Sequence, residues 1–173
     1  VQRRVDLLAE EGILFFTKTE IGKDIPTKQL LEDFDAVVLC GGAAKPRDLQ
    51  VEGRELKGVH FAMDFLKANT HNLLGGLTRD TDSITISARN KDVLVIGGGD
   101  TGTDCLGTSL RHACRSVTQF EILPEPPTAR QANNPWPEWP KVLKTDYGQE
   151  EAISSYAKDP RQFGILTKKL VGD

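Results

Sequence analysis

The sequence predicts an α/β fold, a parallel sheet with flanking helices, and three observations carry that expectation. The first is a β–turn–α–β run: DVLVI over 92–96, GGGDTG over 97–102, TDCLGTSLRHA over 103–113 and SVTQFEIL over 116–123. A second strand that follows a helix in this way returns parallel to the first, because the helix supplies the crossover. The second observation is AVVLC over 36–40, an apolar β-branched run without alternation, the pattern of a strand buried on both faces. The third is composition. With 38% hydrophobic and 27% charged residues in a chain of 173, there is enough apolar matter for a core, which excludes a disordered tail or a fibre.

The remaining elements follow in chain order. VQRRVDLLAEE over 1–11 places Val1, Val5 and Leu8 on one helical face, and Gly12 is a natural stop. ILFFT over 13–17 reads as a short buried strand. Pro26 and Thr27 open a short helix over TKQLLEDF. The AVVLC strand then ends in Gly41, Gly42 and Ala43, where the backbone can turn sharply or come close to a ligand. HFAMDFLKAN over 60–69 makes an amphipathic helix with Phe61, Phe65 and Leu66. Residues 70–90 are polar and contain glycine. They read as irregular, with at most one short strand near 83–87, and the main boundary falls here. Residues 124–140 hold six of the nine prolines and both tryptophans, Trp136 and Trp139, a density that neither a helix nor a central strand tolerates. A helix is expected over 149–157 and a further strand over GILTKKLV, 164–171.

Charge and cysteine content narrow the function classes. A formal charge of -3 argues against a nucleic-acid or anionic-membrane partner, since those binders are usually basic. No apolar stretch approaches the ~18–20 residues a membrane helix needs. Cys40, Cys105 and Cys114 form neither a disulfide framework nor a CxxC pair, so no metal site is expected, and unpaired cysteines fit a reducing compartment. His60, His71 and His112 show no metal spacing. The chain starts at Val1 inside a helix, and the expectation is a fragment of something longer.

The glycine run carries the chemistry. Gly97, Gly98, Gly99, Asp100, Thr101 and Gly102 satisfy G-x-G-x-x-G between a strand and a helix, the context a dinucleotide site requires. Gly97 allows the tight turn, Gly99 leaves the backbone open to a pyrophosphate, and Gly102 lets helix and strand pack closely. The pyrophosphate is expected at the helix N-terminus, where unpaired N–H groups and the positive end of the dipole meet it. Asp100 and Thr101 stand there as candidate caps. Two other readings compete: a glycine turn that merely joins strand to helix, and an S-adenosylmethionine site. Glu121, 19 positions after Gly102, is placed to accept hydrogen bonds from the adenosine ribose. Its charge opposes a 2′-phosphate and no arginine directly follows it, which favours NADH over NADPH; the competing readings are a solvated strand end at Glu121 and a phosphate contact from Arg111, His112 or Arg115. Cys105 reads as a small packing residue.

VLVIGGGDTGTDCLGTSLRH, SVTQFEILPEPP, NNPWPEWPK and DYGQEEA together resemble the glutamate synthase small (β) subunit, or the corresponding C-terminal region of fused glutamate synthases. DAVVLCGGAAKPRDL is similar to the stretch where such flavoproteins pass from the FAD domain to the nicotinamide domain and usually read ATGA. Cys40, Gly41, Gly42 and Ala43 stand there, with the first alanine and the threonine of that pattern replaced by Cys40 and Gly41, so a backbone contact to flavin survives but a threonine side-chain contact does not. The resemblance implies a Rossmann-like parallel sheet with flanking helices, part of a two-dinucleotide-domain flavoprotein. It places the end of a FAD-binding segment in 1–60, a linker in 61–90 and the first part of an NAD(P)H domain in 91–173. It implies hydride transfer from NADH or NADPH to FAD for glutamate synthesis from glutamine and 2-oxoglutarate. Iron–sulfur clusters and FMN belong only to the complete enzyme, with the large subunit or region as partner. It implies no nucleic acid, no membrane and a cytoplasmic (in a plant, plastid) location. Some relatives end the second strand in Tyr-Arg-Arg, suited to NADPH; Glu121, Ile122 and Leu123 stand here. The rival function is a non-catalytic nucleotide-binding or interaction module of the same fold, favoured by the altered residues at 40–43. The Trp-Pro segment is either a lid or docking surface or a loop whose tryptophans fill a groove on their own domain; the second is the preferred expectation.

Overall fold

The structure, a computed structural model, describes residues 1–43, 45–74 and 86–172, which fall into two compact units, 1–44 and 45–173. In the first unit, helix α1 spans Gln2–Glu10 and helix α2 spans Thr27–Asp33. Gly12, at φ 95°, ends α1 as expected, and its N–H donates to the Ala9 carbonyl. Pro26 precedes α2 with φ -60°, the angle its ring imposes.

The two strands expected in this unit do not form. Residues 13–17 and 36–40 carry no ladder, and Leu14, Phe16, Val38 and Leu39 are strongly exposed. A buried strand needs a neighbouring backbone to take its N–H and C=O groups. Among the described residues of this unit the one pairing is an isolated bridge between Ile21 and Ile25. A β-branched run is suited to a ladder but does not create one.

The second unit is the α/β part. Strands β1 (Asp92–Ile96), β2 (Ser116–Glu121) and β3 (Arg161–Phe163) form a sheet in the order β1-β2-β3, parallel throughout. Val93 lies opposite Val117, Val95 opposite Gln119, and Gln119 opposite Arg161. Helices α3 (Ala62–Leu74), α4 (Asp100–Arg111) and α5 (Tyr147–Tyr156) accompany it. Helix α4 connects β1 to β2 and is the centre of the core, with Cys105, Leu106, Gly107, Thr108 and Ser109 all buried. It packs on both strands and on α3 and α5. Phe65 of α3 sets its ring edge-on to His112, centroids 5.3 Å apart. His112 is half-buried. Its Nδ1 accepts from the Ala88 N–H, so Nε2 is left to donate to the Asn69 Oδ1 at 2.9 Å.

Small residues bring α5 onto α4. A Cβ at Gly148 would collide with the Thr103 carbonyl, and one at Gly107 would stand 2.8 Å from the Tyr147 ring. The Tyr147 hydroxyl donates to Asp104, and Arg111 pairs with Glu151 at 2.6 Å. Helix α5 opens with a capping box: Gln149 N–H donates to the Asp146 side chain and Asp146 N–H to the Gln149 side chain, and Tyr147 N–H also donates to the Asp146 side chain.

Three local expectations are corrected. Helix α4 begins at Asp100, inside the expected turn. The strand expected over 164–171 is displaced to β3. Gly164 adopts φ 68°, which ends the ladder, and beyond it, among the described residues, only Lys169 bridges to Glu52. Trp136 and Trp139 do not fill a groove; they are 84% and 77% exposed. Of the short strand expected near 83–87, residues 83–85 lie outside the described residues, and 86–87 are not in a strand.

At the start of β1, Asp92 accepts hydrogen bonds from Arg115 and from the Ser116 hydroxyl. These hold its carboxyl down at about 2, against an ordinary 3.8. A lowered folded-state value stabilises the fold above the unfolded carboxyl's titration and loses that contribution as pH falls through about 2. Replacing Arg115 with leucine is expected to move the Asp92 titration, followed by carboxyl NMR, up toward 3.8. An unchanged titration would contradict the assigned cause.

Candidate functional site

Strand β1 delivers the chain to Gly97, whose φ of 121° a residue with a Cβ rarely adopts. Its N–H still donates to the Phe120 carbonyl, 2.8 Å, as the last bond at that end of the ladder. Its carbonyl accepts from Gln119 Nε2 at 2.9 Å. Two residues later Gly99 is the N-cap of α4, and its carbonyl accepts the Thr103 N–H at 3.1 Å. Among the described residues no side chain caps this end. Asp100 and Thr101, expected as caps, instead stand exposed in the first turn. The helix therefore presents N–H groups and the positive end of its dipole without a side-chain acceptor, a setting that favours an anion.

The glycines divide by what surrounds them. A Cβ on Gly99 would meet nothing within 4 Å, so the backbone there is open to a ligand. A Cβ on Gly102 would collide with the Gly97 carbonyl and stand 2.7 Å from Gln119 Nε2. A Cβ on Gly98 would run into the Glu121 carboxylate, so the acid at the end of β2 lies directly against the turn. Glu121 Oε1 also accepts the Leu123 N–H at 3.1 Å, which bends the chain at the strand's end. Gly97, Gly98, Gly99, Asp100, Thr101, Gly102 and Glu121 are thus brought together. Beside them is a cleft of ≈ 270 Å³, bordered by Gly98, Asp100 and Glu121 and by Leu143, Lys144 and Phe163.

Gly41, Gly42 and Ala43 belong to the first unit and are exposed. Gly42 needs its φ of 65°, but a Cβ on either glycine would meet nothing within 4 Å. Around these three residues the structure shows open backbone and no cradle among the described residues.

Two residues of the site were missed from the sequence, Gln119 and Gln149, both buried behind the turn. An amide at an inward position of a buried strand, in SVTQFE, was the available signal. The Trp-Pro loop borders the same region. Lys144 sets its ammonium 4.0 Å above the Trp139 ring. Asn134 holds the loop from within, donating to Glu138 and to the Trp139 carbonyl and accepting from the Lys141 N–H. Among the described residues no cluster of His, Cys, Asp and Glu is arranged to hold a metal ion. Burial pushes the Cys105 thiol up to about 11, which makes it inert packing.

No family model matches the chain. It is 51% identical over 173 residues to "Glutamate synthase [NADH]" of Saccharomyces cerevisiae, covering 100% of this chain and 8% of that protein. It is 51% identical over 173 residues to "Glutamate synthase [NADPH] small chain" of Bacillus subtilis, covering 100% of this chain and 35% of that one. Against the small chain of Mycobacterium tuberculosis H37Rv the identity is 43%, over 99% of this chain and 34% of the relative. The resemblance read from the motifs is borne out. The chain spans about a third of the small chains' length and 8% of the yeast protein's. Relatives of equal identity are named for different coenzymes, so similarity alone does not choose between NADH and NADPH.

Substitutions at the two crowded glycines are expected to differ. Gly98→Ala meets the mobile end of Glu121, which can rotate away. Gly102→Ala meets a backbone carbonyl and is expected to cost about 1–3 kcal/mol in urea denaturation. Equal costs for the two would contradict this account of the turn.

Proposed function

We propose, from homology along all 173 residues to the glutamate synthase small chain, that the second unit binds the diphosphate of a reduced nicotinamide dinucleotide. The intact protein that carries this chain is then an NAD(P)H-dependent oxidoreductase. It is the electron-entry part of glutamate synthase, passing hydride to FAD for glutamate synthesis from glutamine and 2-oxoglutarate. The observation that supports this most is the uncapped N-terminus of α4 at an open Gly99, with the Glu121 carboxylate against Gly98.

In this reading each residue has a physical task. The amides at the start of α4 meet the diphosphate, and Gly97 and Gly99 keep side chains out of its way. Glu121 accepts the ribose hydroxyls and repels a 2′-phosphate, which makes NADH the proposed coenzyme. Lys144, a cation on the same cleft, has its ammonium on the Trp139 ring. When bound, the nicotinamide supplies hydride; the chain's residues supply position, and none is assigned as an acid, base or nucleophile. Gly41, Gly42 and Ala43 are proposed to lie against FAD through backbone alone. The domain division proposed is a FAD-domain segment to residue 60, a linker to 90 and the nicotinamide domain from 91. Iron–sulfur clusters, FMN and the large subunit or region belong to the complete enzyme.

The second reading, a nucleotide-binding or interaction module without flavin chemistry, is favoured by the open, exposed backbone at 41–43. Parallel titration of the intact protein with NADH and NADPH, followed by flavin absorbance, separates the two. Bleaching by NADH supports electron entry, and nucleotide binding to a colourless protein supports the module. Glu121→Ala is expected to weaken NADH binding about tenfold, the scale of one charged hydrogen bond, and to leave NADPH binding unchanged or improved. A clear preference of the unaltered protein for NADPH would overturn the role given to Glu121.

A further inference from the structure

Behind the glycine turn runs a relay of buried carboxamides, and we infer from it that Gln119 and Gln149 are positioning residues that set the orientation of the dinucleotide turn. The inference rests on the reading of that turn as a coenzyme site. Gln119, on β2, is fully buried, and Gln149, on α5, is 4% exposed. Asp146 N–H donates to Gln149 Oε1 at 3.0 Å. Gln149 Nε2 donates to Thr103 Oγ1 at 2.9 Å and to Gln119 Oε1 at 3.1 Å. Gln119 Nε2 donates to the Gly97 carbonyl at 2.9 Å.

Both ends of this relay are backbone groups. An N–H can only donate and a carbonyl can only accept, so each carboxamide has one orientation that satisfies the whole relay. The consequence falls on the turn. Gly97 has no Cβ, so local sterics leave its peptide free to rotate. Gln119 draws the Gly97 carbonyl inward. In a planar trans peptide the next N–H points the opposite way, so the Gly98 N–H is turned away from Gln119. Gly102 has no side chain where Gln119 reaches the carbonyl. Leucine or methionine at 119 and 149 would fill similar space and suit the core equally; what the amides add is direction.

The test uses the intact protein and titrates NADH by fluorescence. Gln119→Leu and Gln149→Leu are each expected to weaken NADH binding about tenfold while kcat at saturating NADH is retained. Gln119→Glu adds a readout that mere packing would not move. Its protonated carboxyl can donate to the Gly97 carbonyl and accept from Gln149, whereas the ionised form opposes the carbonyl. Its NADH affinity, taken relative to the unaltered protein at the same pH, is therefore expected to be equal at acid pH and to fall as pH rises. If Gln119→Leu does not fold, Gln149→Leu and the pH profile of Gln119→Glu decide the matter. Binding equal to the unaltered protein in these variants at every pH overturns the positioning role and leaves the coenzyme site standing. Failure of the unaltered protein to bind either NADH or NADPH removes the site itself.

Discussion

The contact on which the second unit depends is the close approach of the first turn of α4 to the end of β1. It exists because Gly102 has no side chain where the Gly97 carbonyl and Gln119 need to be. With the turn closed this tightly, the start of α4 comes beside the end of β2, and Glu121 reaches Gly98. The same closure leaves the helix end without a side-chain cap. One steric allowance thus produces both the packing and the proposed anion site. Unpaired N–H groups at a helix start are costly when dry and useful when a ligand takes them.

Around that contact the unit is built by small residues. Thr103, Cys105, Gly107, Thr108 and Ser109 make α4 narrow enough to be buried along this stretch, with Leu106 as its one large apolar side chain there. A helix of this kind contributes less by transfer of its own surface than by letting neighbours come close. Helix α5 docks through Gly148 against Thr103, and the Asp146 cap reaches the turn through two glutamines. Fold and site share these hydrogen bonds, so a change in one is felt in the other.

Much of this was legible in the sequence, for physical reasons. DVLVI and SVTQFEIL read as strands and pair in parallel, the second ending two residues early at Glu121, because their apolar runs and the helix between them leave one economical arrangement. The five helices among the described residues lie near their expected places, since helical hydrogen bonds are local and periodicity reports them. What failed depends on partners. ILFFT and AVVLC have the composition of buried strands, yet no neighbouring backbone among the described residues pairs with them. GILTKKLV fails at Gly164, whose positive φ ends the ladder. Asp100 and Thr101 look like caps by residue type, but the helix begins one residue earlier than a cap at 100 requires. The exposure of Trp136 and Trp139 and the Gln119 relay are tertiary facts with only faint local traces.

The amides that open α4 are the proposed seat of a diphosphate. A crystal structure of the intact protein with NADH is the decisive measurement. The diphosphate is expected within hydrogen-bond distance of backbone N–H groups between Gly98 and Gly102, with a ribose hydroxyl on Glu121. NADH bound with its diphosphate elsewhere, and solvent at the start of α4, would contradict it.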